Sequence, residues 1–94
     1  MNITPPCENI TVYTKSNCIY CTKVKELLPD AQIVLADVYL KKNRQNFLNY
    51  IASISGKKPN TFPMVFWHKR FIGGYDDTKQ YVDELNTFSL NSDF

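Results

Sequence analysis

The sequence lacks the features that mark several common classes of protein. Its three cysteines are an odd number with one close pair, unlike the framework of a small secreted protein. No apolar stretch is long enough to span a membrane, and the first six residues lack the basic start and apolar core of a signal peptide. The net charge of +2 is too small to indicate nucleic-acid binding. We therefore expect a cytoplasmic protein in a reducing environment, with neither nucleic acid nor membrane among its partners.

The length and composition predict one small domain. The chain has 94 residues, of which 44% are hydrophobic and 14% aromatic, so it can bury a core without a structural disulfide. It contains no repeat, low-complexity segment or internal linker. We expect residues 1–94 to form a single domain, in which residues 1–9 are an extended lead-in.

Hydrophobic spacing predicts seven elements in the order β-α-β-α-β-β-α. Strands are predicted over residues 9–14, 33–35, 64–67 and 70–72. Helices are predicted from the residues after Cys18 to Pro29, from Lys42 to a C-cap at Gly56, and from a cap at Asp76 or Asp77 to about Phe88. The inner face of the last helix is expected to carry Tyr81, Val82, Leu85 and Phe88. These elements predict an α/β fold with a mixed four-stranded sheet and helices on both faces.

The segment Cys18-Ile19-Tyr20-Cys21 lies between the first strand and the first helix. A thiol at a helix start faces unpaired backbone N–H groups, which favour the thiolate that attacks disulfides. Lys15 adds a positive charge to the same loop, and Cys21 lies almost one turn into the helix, where it is more shielded. The pattern therefore predicts thiol–disulfide chemistry, with Cys18 as nucleophile and Cys21 as resolving thiol.

The chain resembles the glutaredoxin family, which has a thioredoxin-like fold, from Ile10 to Phe88. Four segments carry the resemblance: Tyr13-Thr14-Lys15-Ser16-Asn17-Cys18-Ile19-Tyr20-Cys21, Thr61-Phe62-Pro63, Phe71-Ile72-Gly73-Gly74 and Tyr75-Asp76-Asp77. The resemblance implies that the peptide bond before Pro63 is cis and that glutathione is the reducing co-substrate. It also implies no bound metal.

The resemblance further implies a glutathione site, with residues Lys15, Tyr20, Thr61, Phe62, Pro63, Gly74, Asp76 and Asp77. In this site the γ-glutamyl end meets the glycine corner and Asp77, the backbone of Phe62 pairs with the peptide, and Lys15 and Tyr20 meet the glycine end. The implied function is a monomeric, glutathione-dependent oxidoreductase. It would reduce protein disulfides and protein–glutathione mixed disulfides, with ribonucleotide reductase among the candidate acceptors.

Departures from the family pattern leave alternatives open. Ile19 stands where the family often has proline, which admits a glutaredoxin that binds a [2Fe–2S] cluster. A thioredoxin-like donor that does not use glutathione is a second alternative, and a zinc site of Cys7, Cys18, Cys21 and His68 is a third. Leu48 stands where the family often has a glutathione-binding glutamine or arginine, so we expect Lys57 or Lys58 as a substitute.

Overall fold

The computed structural model describes residues 2–91, and the side chains of residues 2–87. The elements are β1 (Ile10–Thr14), α1 (Ile19–Leu27), β2 (Gln32–Leu35), α2 (Asp37–Ser55), β3 (Met64–Trp67), β4 (Arg70–Gly73) and α3 (Tyr75–Asn91). The strand order is β2-β1-β3-β4, with β1 parallel to β2 and the other pairs antiparallel. The predicted element order and mixed sheet are confirmed. None of the helices within residues 2–91 combines the length and apolar character that crossing a bilayer requires.

The sheet separates two hydrophobic clusters because alternate residues of β1 and β3 point to opposite faces. One cluster contains Tyr13 and Phe66 from the sheet and Phe47 and Ile51 from α2. The other joins Val12 and Val65 of the sheet to Val24 of α1, to Leu28 just after α1, and to Val82 of α3. Helices therefore cover both faces, as predicted, and α1 and α3 lie on the same side.

The extended lead-in is fixed to the core through one tyrosine from β1 and one from α2. The buried Tyr13 hydroxyl donates a hydrogen bond to the Thr4 carbonyl oxygen at 2.6 Å, and the Thr4 N–H donates to the Tyr39 hydroxyl at 3.2 Å. Burial raises the pKa of Tyr13, so this phenol remains a neutral donor. Ile3 packs against the same cluster. Residues 2–9 thus have no regular structure but contribute to the domain.

Helix α2 begins five residues earlier than predicted. Asn43 has non-helical angles (φ −160°, ψ 88°) and divides α2 into two parts, and its side chain accepts a hydrogen bond from the Asn46 N–H at 2.9 Å. The second part begins after Asn43, close to the predicted start at Lys42, and ends at Ser55, followed by the predicted C-cap Gly56 with a left-handed φ of 73°. The first part was missed because it is short and buries only Tyr39 fully.

Helix α3 starts at Tyr75, so Asp76 and Asp77 occupy its first turn rather than its cap. Val82 is half-buried as predicted, but Leu85 is 41% exposed and its predicted inner position is wrong. The strands have four or five residues and span about 13–17 Å, whereas 17 helical residues span about 25 Å, so the end of α3 extends beyond the sheet. The prediction for the Phe88 side chain lies outside the described residues.

The start of α2 fixes the loop that leads to the cysteine pair. The Ser16 N–H donates to one Asp37 carboxylate oxygen at 3.0 Å, and the Ser16 hydroxyl donates to the other. The Ala36 N–H also donates to the Thr14 carbonyl oxygen at 2.7 Å. The two bonds from Ser16, that of the hydroxyl first, lower the pKa of Asp37 below its usual value. The carboxylate form is therefore the one that holds this loop.

The variant Asp37→Asn should lower the midpoint of thermal unfolding at pH 7 by a few degrees, because the amide is a weaker acceptor for Ser16. A group whose pKa is lower in the folded protein stabilises it above the unfolded-state pKa, and this stabilisation is lost as pH falls through the folded-state value. The difference from wild type should therefore shrink below about pH 4. Thermal unfolding followed by circular dichroism measures it.

The matched control is Asp30→Asn, which removes the same charge from the exposed turn between α1 and β2. It should shift the midpoint by much less than Asp37→Asn at pH 7. Equal shifts for the two variants, or a difference that stays constant into acid, would show that the contact between Asp37 and Ser16 does not carry the effect.

Candidate active site

Cys18 and Cys21 form a disulfide at the start of α1. Cys18 is the N-cap residue, with extended backbone angles, and its Cα atom lies 5.2 Å from that of Cys21. The Cys21 N–H donates a hydrogen bond to the Cys18 sulfur at 3.2 Å. Cys18 is half-buried, whereas Cys21 is only 1% exposed. In the reduced protein a partner can therefore approach Cys18, and the helix start stabilises the negative charge that forms there.

The backbone before β3 lies beside the redox pair. The peptide bond between Phe62 and Pro63 is cis, as the resemblance implied. The Phe62 carbonyl oxygen lies 3.7 Å from the Cys18 sulfur. The ammonium group of Lys15 lies 5.9 Å from the centre of the Phe62 ring, which places a positive charge close to the same backbone. An extended peptide that reaches Cys18 therefore meets the backbone of Phe62 and the charge of Lys15.

Seven of the eight residues predicted to bind glutathione line one groove. This groove, named here the Asp77 groove, encloses about 420 Å³ and is lined by Tyr20, Thr61, Phe62, Pro63, Gly74, Tyr75, Asp76 and Asp77. Lys15 is the exception, because it lines a second groove beside the cysteines. This second groove, named the Lys25 groove, encloses about 650 Å³ and is lined by Lys15, Ser16, Asn17, Cys18, Ile19, Cys21, Thr22, Lys25 and Leu35.

The end of the Asp77 groove combines backbone donors with a carboxylate. Gly73 has a φ of +135°, and a Cβ atom at this position would overlap the Asp77 carboxyl group, so glycine lets Asp77 fold back here. The Thr78 N–H donates to the Gly74 carbonyl oxygen at the start of α3. The N–H groups of Asp76 and Asp77 come before this bond, so the helix itself offers them no acceptor and they can donate to a ligand. Donors beside one carboxylate suit a ligand end that carries both an anionic and a cationic group.

Two residues of this region were missed as site residues. The ammonium group of Lys23 lies 5.1 Å from the ring centre of Tyr20 and 5.7 Å from that of Tyr75. The two rings are themselves 5.7 Å apart. Residues three apart on a helix are neighbours, so the sequence could have indicated the contact between Lys23 and Tyr20. Tyr75 lies in one of the four segments that carry the family resemblance, but it was not predicted to bind glutathione.

Neither Lys57 nor Lys58, expected to replace the family's glutathione-binding glutamine or arginine on the second helix, lines the Asp77 groove. Lys58 instead lines a separate groove of about 300 Å³ together with Leu48 and other residues of α2. Lys57 lines neither the Asp77 groove nor the Lys25 groove. The expectation that Lys57 or Lys58 completes the site is therefore not supported by the geometry.

The zinc alternative does not fit the structure. Among the residues that the structure describes, no group of three or more His, Cys, Asp or Glu side chains could hold a metal ion. Cys7 is half-buried and has other neighbours: its sulfur lies 3.1 Å from the Thr11 hydroxyl oxygen and 3.5 Å from the Ile10 carbonyl oxygen. The imidazole of His68 contacts the Glu8 carbonyl oxygen at 2.8 Å. The four proposed ligands are thus not assembled.

Known proteins with similar sequences and structures place this arrangement in context. Hybrid peroxiredoxin hyPrx5 of Haemophilus influenzae is 32% identical over 74 residues, which are 79% of this chain and 29% of that protein. Glutaredoxin 1 of Rickettsia typhi is 32% identical over 68 residues, which are 72% of this chain and 64% of that one. The chain thus spans less than two thirds of the length of either relative.

The crystal structure of glutaredoxin 1 from Francisella tularensis, complexed with cacodylate, superposes with a TM-score of 0.70 at 21% identity. The superposition covers 84% of this chain and 96% of that one, and establishes the thioredoxin-like fold. The family model for glutaredoxin matches residues 10–72, which include the cysteine pair and the cis-proline and end just before Gly73. By fold, sequence and the position of its redox disulfide, the chain belongs to the glutaredoxin family.

Proposed function

We propose that this protein is a glutathione-dependent thiol–disulfide oxidoreductase that acts as a monomer in the reducing cytoplasm. One observation carries the proposal: a disulfide at a helix start, with a half-buried first sulfur, lies beside a groove that ends in backbone donors and a carboxylate. The substrates are protein–glutathione mixed disulfides and protein disulfides. In this proposal glutathione is a co-substrate rather than a resident cofactor.

Glutathione has chemical groups that match the Asp77 groove from end to end. The carboxylate of its γ-glutamyl end accepts hydrogen bonds from the N–H groups of Asp76 and Asp77, while its ammonium pairs with the Asp77 side chain. The cysteinyl backbone pairs with that of Phe62, which directs its sulfur to Cys18. The glycine carboxylate extends past Phe62 toward Lys15, which lies outside the Asp77 groove but has its ammonium 5.9 Å from the centre of the Phe62 ring, and Lys23 adds a positive charge above Tyr20.

The reduction of a mixed disulfide needs two exchanges at Cys18. The Cys18 thiolate attacks the glutathione sulfur, a Cys18–glutathione disulfide forms, and the protein thiolate leaves and takes a proton from water. A second glutathione thiolate then attacks the bound glutathione sulfur. This step forms glutathione disulfide and regenerates the Cys18 thiolate, so one free glutathione is consumed and leaves joined to the glutathione that the substrate carried.

The reduction of a protein disulfide also needs Cys21. Cys18 attacks one substrate sulfur and releases the other as a thiol, and Cys21 then attacks Cys18. The reduced protein dithiol leaves, and the enzyme holds the disulfide between Cys18 and Cys21. One glutathione thiolate opens this bond to form a Cys18–glutathione disulfide, and a second releases it as glutathione disulfide, which restores both thiols. Because Cys21 is buried, it is reached through Cys18 rather than directly.

The variants Cys18→Ser and Cys21→Ser separate these two routes. Cys18→Ser should lower kcat/KM for a glutathionylated peptide by about a thousandfold or more, because the nucleophile is lost. Cys21→Ser should stay within about threefold of wild type on that substrate and lose the reduction of a protein disulfide. Glutathione oxidation coupled to glutathione reductase and NADPH measures both reactions. Equal activity of the two variants on the glutathionylated peptide would overturn the assignment of Cys18.

The variant Asp77→Asn should raise KM for the glutathionylated peptide by about tenfold with little change in kcat, because the ammonium of the substrate loses its ionic partner. The same coupled assay measures this change. Asp83→Asn is the matched control, since Asp83 lies on the same helix, is exposed and pairs with Lys79 at 3.4 Å. If both variants change KM equally, the Asp77 groove does not hold the γ-glutamyl end.

A further inference from the structure

The redox pair lies at the junction of two grooves that share no lining residue. The Asp77 groove reaches the Cys-x-x-Cys segment through Tyr20, and the Lys25 groove reaches it through Cys18, Ile19 and Cys21. A mixed disulfide joins a glutathione to a protein at one pair of sulfurs. When the glutathione half occupies the Asp77 groove, the protein half, which is bonded to the glutathione sulfur, must extend away from that groove across the surface around Cys18. The Lys25 groove provides that direction.

The walls of the Lys25 groove are apolar and positively charged. Ile19 is 69% exposed and Leu35 is 53% exposed, and both line it. Lys15 and Lys25 line it as well, and of the nine described lining residues none is an aspartate or glutamate. The Asp37 carboxylate adjoins this wall, but it accepts hydrogen bonds from the Ser16 N–H and hydroxyl. Exposed apolar side chains next to a reactive sulfur are typical of a contact surface, and the lysines favour an acidic partner.

The strand beside the Lys25 groove is open to pairing. Strand β2 is the first in the order β2-β1-β3-β4, so among residues 2–91 it pairs with β1 on one side only. It ends at Leu35 in the wall of the groove, and Ile33 on the same strand is 40% exposed. An edge strand with exposed apolar side chains accepts an extended segment through backbone hydrogen bonds.

We propose that the Lys25 groove and the β2 edge dock the protein half of the substrate, as an extended acidic segment with an apolar residue beside its reactive cysteine. The proposal rests on the proposed function, because it assigns one groove to glutathione and the other to the protein. A second copy of this chain fits the groove less well, since a symmetric contact would place Lys15 and Lys25 opposite the same lysines.

Two glutathionylated peptides of twelve residues test the proposal. Both carry one leucine beside the modified cysteine, and they differ only in four flanking residues, which are aspartate or glutamate in one and lysine in the other. Wild-type protein should turn over the acidic peptide with a kcat/KM about tenfold higher at low salt, and this preference should fall as sodium chloride is added. Equal kcat/KM values for the two peptides would overturn the proposal.

Variants of the groove locate the preference. Lys25→Glu should reduce the preference for the acidic peptide by about fivefold or more, and Leu35→Ser should lower kcat/KM for both peptides by about threefold. Both variants should keep wild-type activity on a mixed disulfide of glutathione and 2-mercaptoethanol, which has no peptide segment. The matched controls on α3 are Lys79→Glu and Leu85→Ser, whose side chains line neither groove. If the controls change the peptide results as much as the groove variants, the Lys25 groove is not the docking site.

A binding measurement separates failure of docking from failure of the proposed function. The acidic peptide with serine in place of its cysteine carries no disulfide, and its binding is followed through the amide resonances of the ¹⁵N-labelled protein. Shifts centred on Ile33, Leu35 and Lys25 support docking even if the protein does not use glutathione. Shifts at the Asp77 groove alone, or signal broadening from dimers that does not depend on the peptide, would overturn the docking proposal while the glutathione assay stands.

Discussion

The start of helix α1 beneath the Cys18 sulfur is the feature on which the rest of this structure depends. The Cys21 N–H points at that sulfur, and the helix contributes a partial positive charge to the same place. The other parts of the site are positioned around this sulfur. The loop that follows β1 leads to Cys18, and Asp37 holds Ser16 of that loop in place. The Phe62 carbonyl group lies beside the Cys18 sulfur. The fold thus exposes one sulfur in a stabilising environment and buries the other.

The sequence predicted the fold well because its local signals agree with one another. Alternating residues around Val12 and the short apolar runs near Val34 and Val65 predict strands, and Pro29 and Gly56 fix helix ends through restricted or left-handed backbone angles. The cysteine pair was placed for the same reason, since its position depends on one strand and one helix that adjoin in the chain. Grouping seven of the eight glutathione residues needed the family resemblance, because they come from three separate segments.

The features that were missed depend on distances between elements rather than on local pattern. The contact between Asp37 and Ser16 spans 21 positions of sequence, and no local pattern indicates it. Leu85 fits the helical spacing of α3, but the helix is longer than the sheet that it covers. The separation of Lys15 from the Asp77 groove follows from how its loop leaves β1, which residue spacing does not encode. These are consequences of packing geometry.

The most direct test of the central claim is an NMR comparison of Cys21→Ser protein before and after it forms a disulfide with glutathione at Cys18. We expect the amide resonances of Thr61, Gly74, Asp76 and Asp77 to shift most, because the γ-glutamyl end lies against the start of α3. Nuclear Overhauser contacts between glutathione and Phe62 should accompany these shifts. An adduct whose perturbed resonances belong to the Lys25 groove, or whose glutathione has no fixed contacts beyond the disulfide, would show that the Asp77 groove does not bind glutathione.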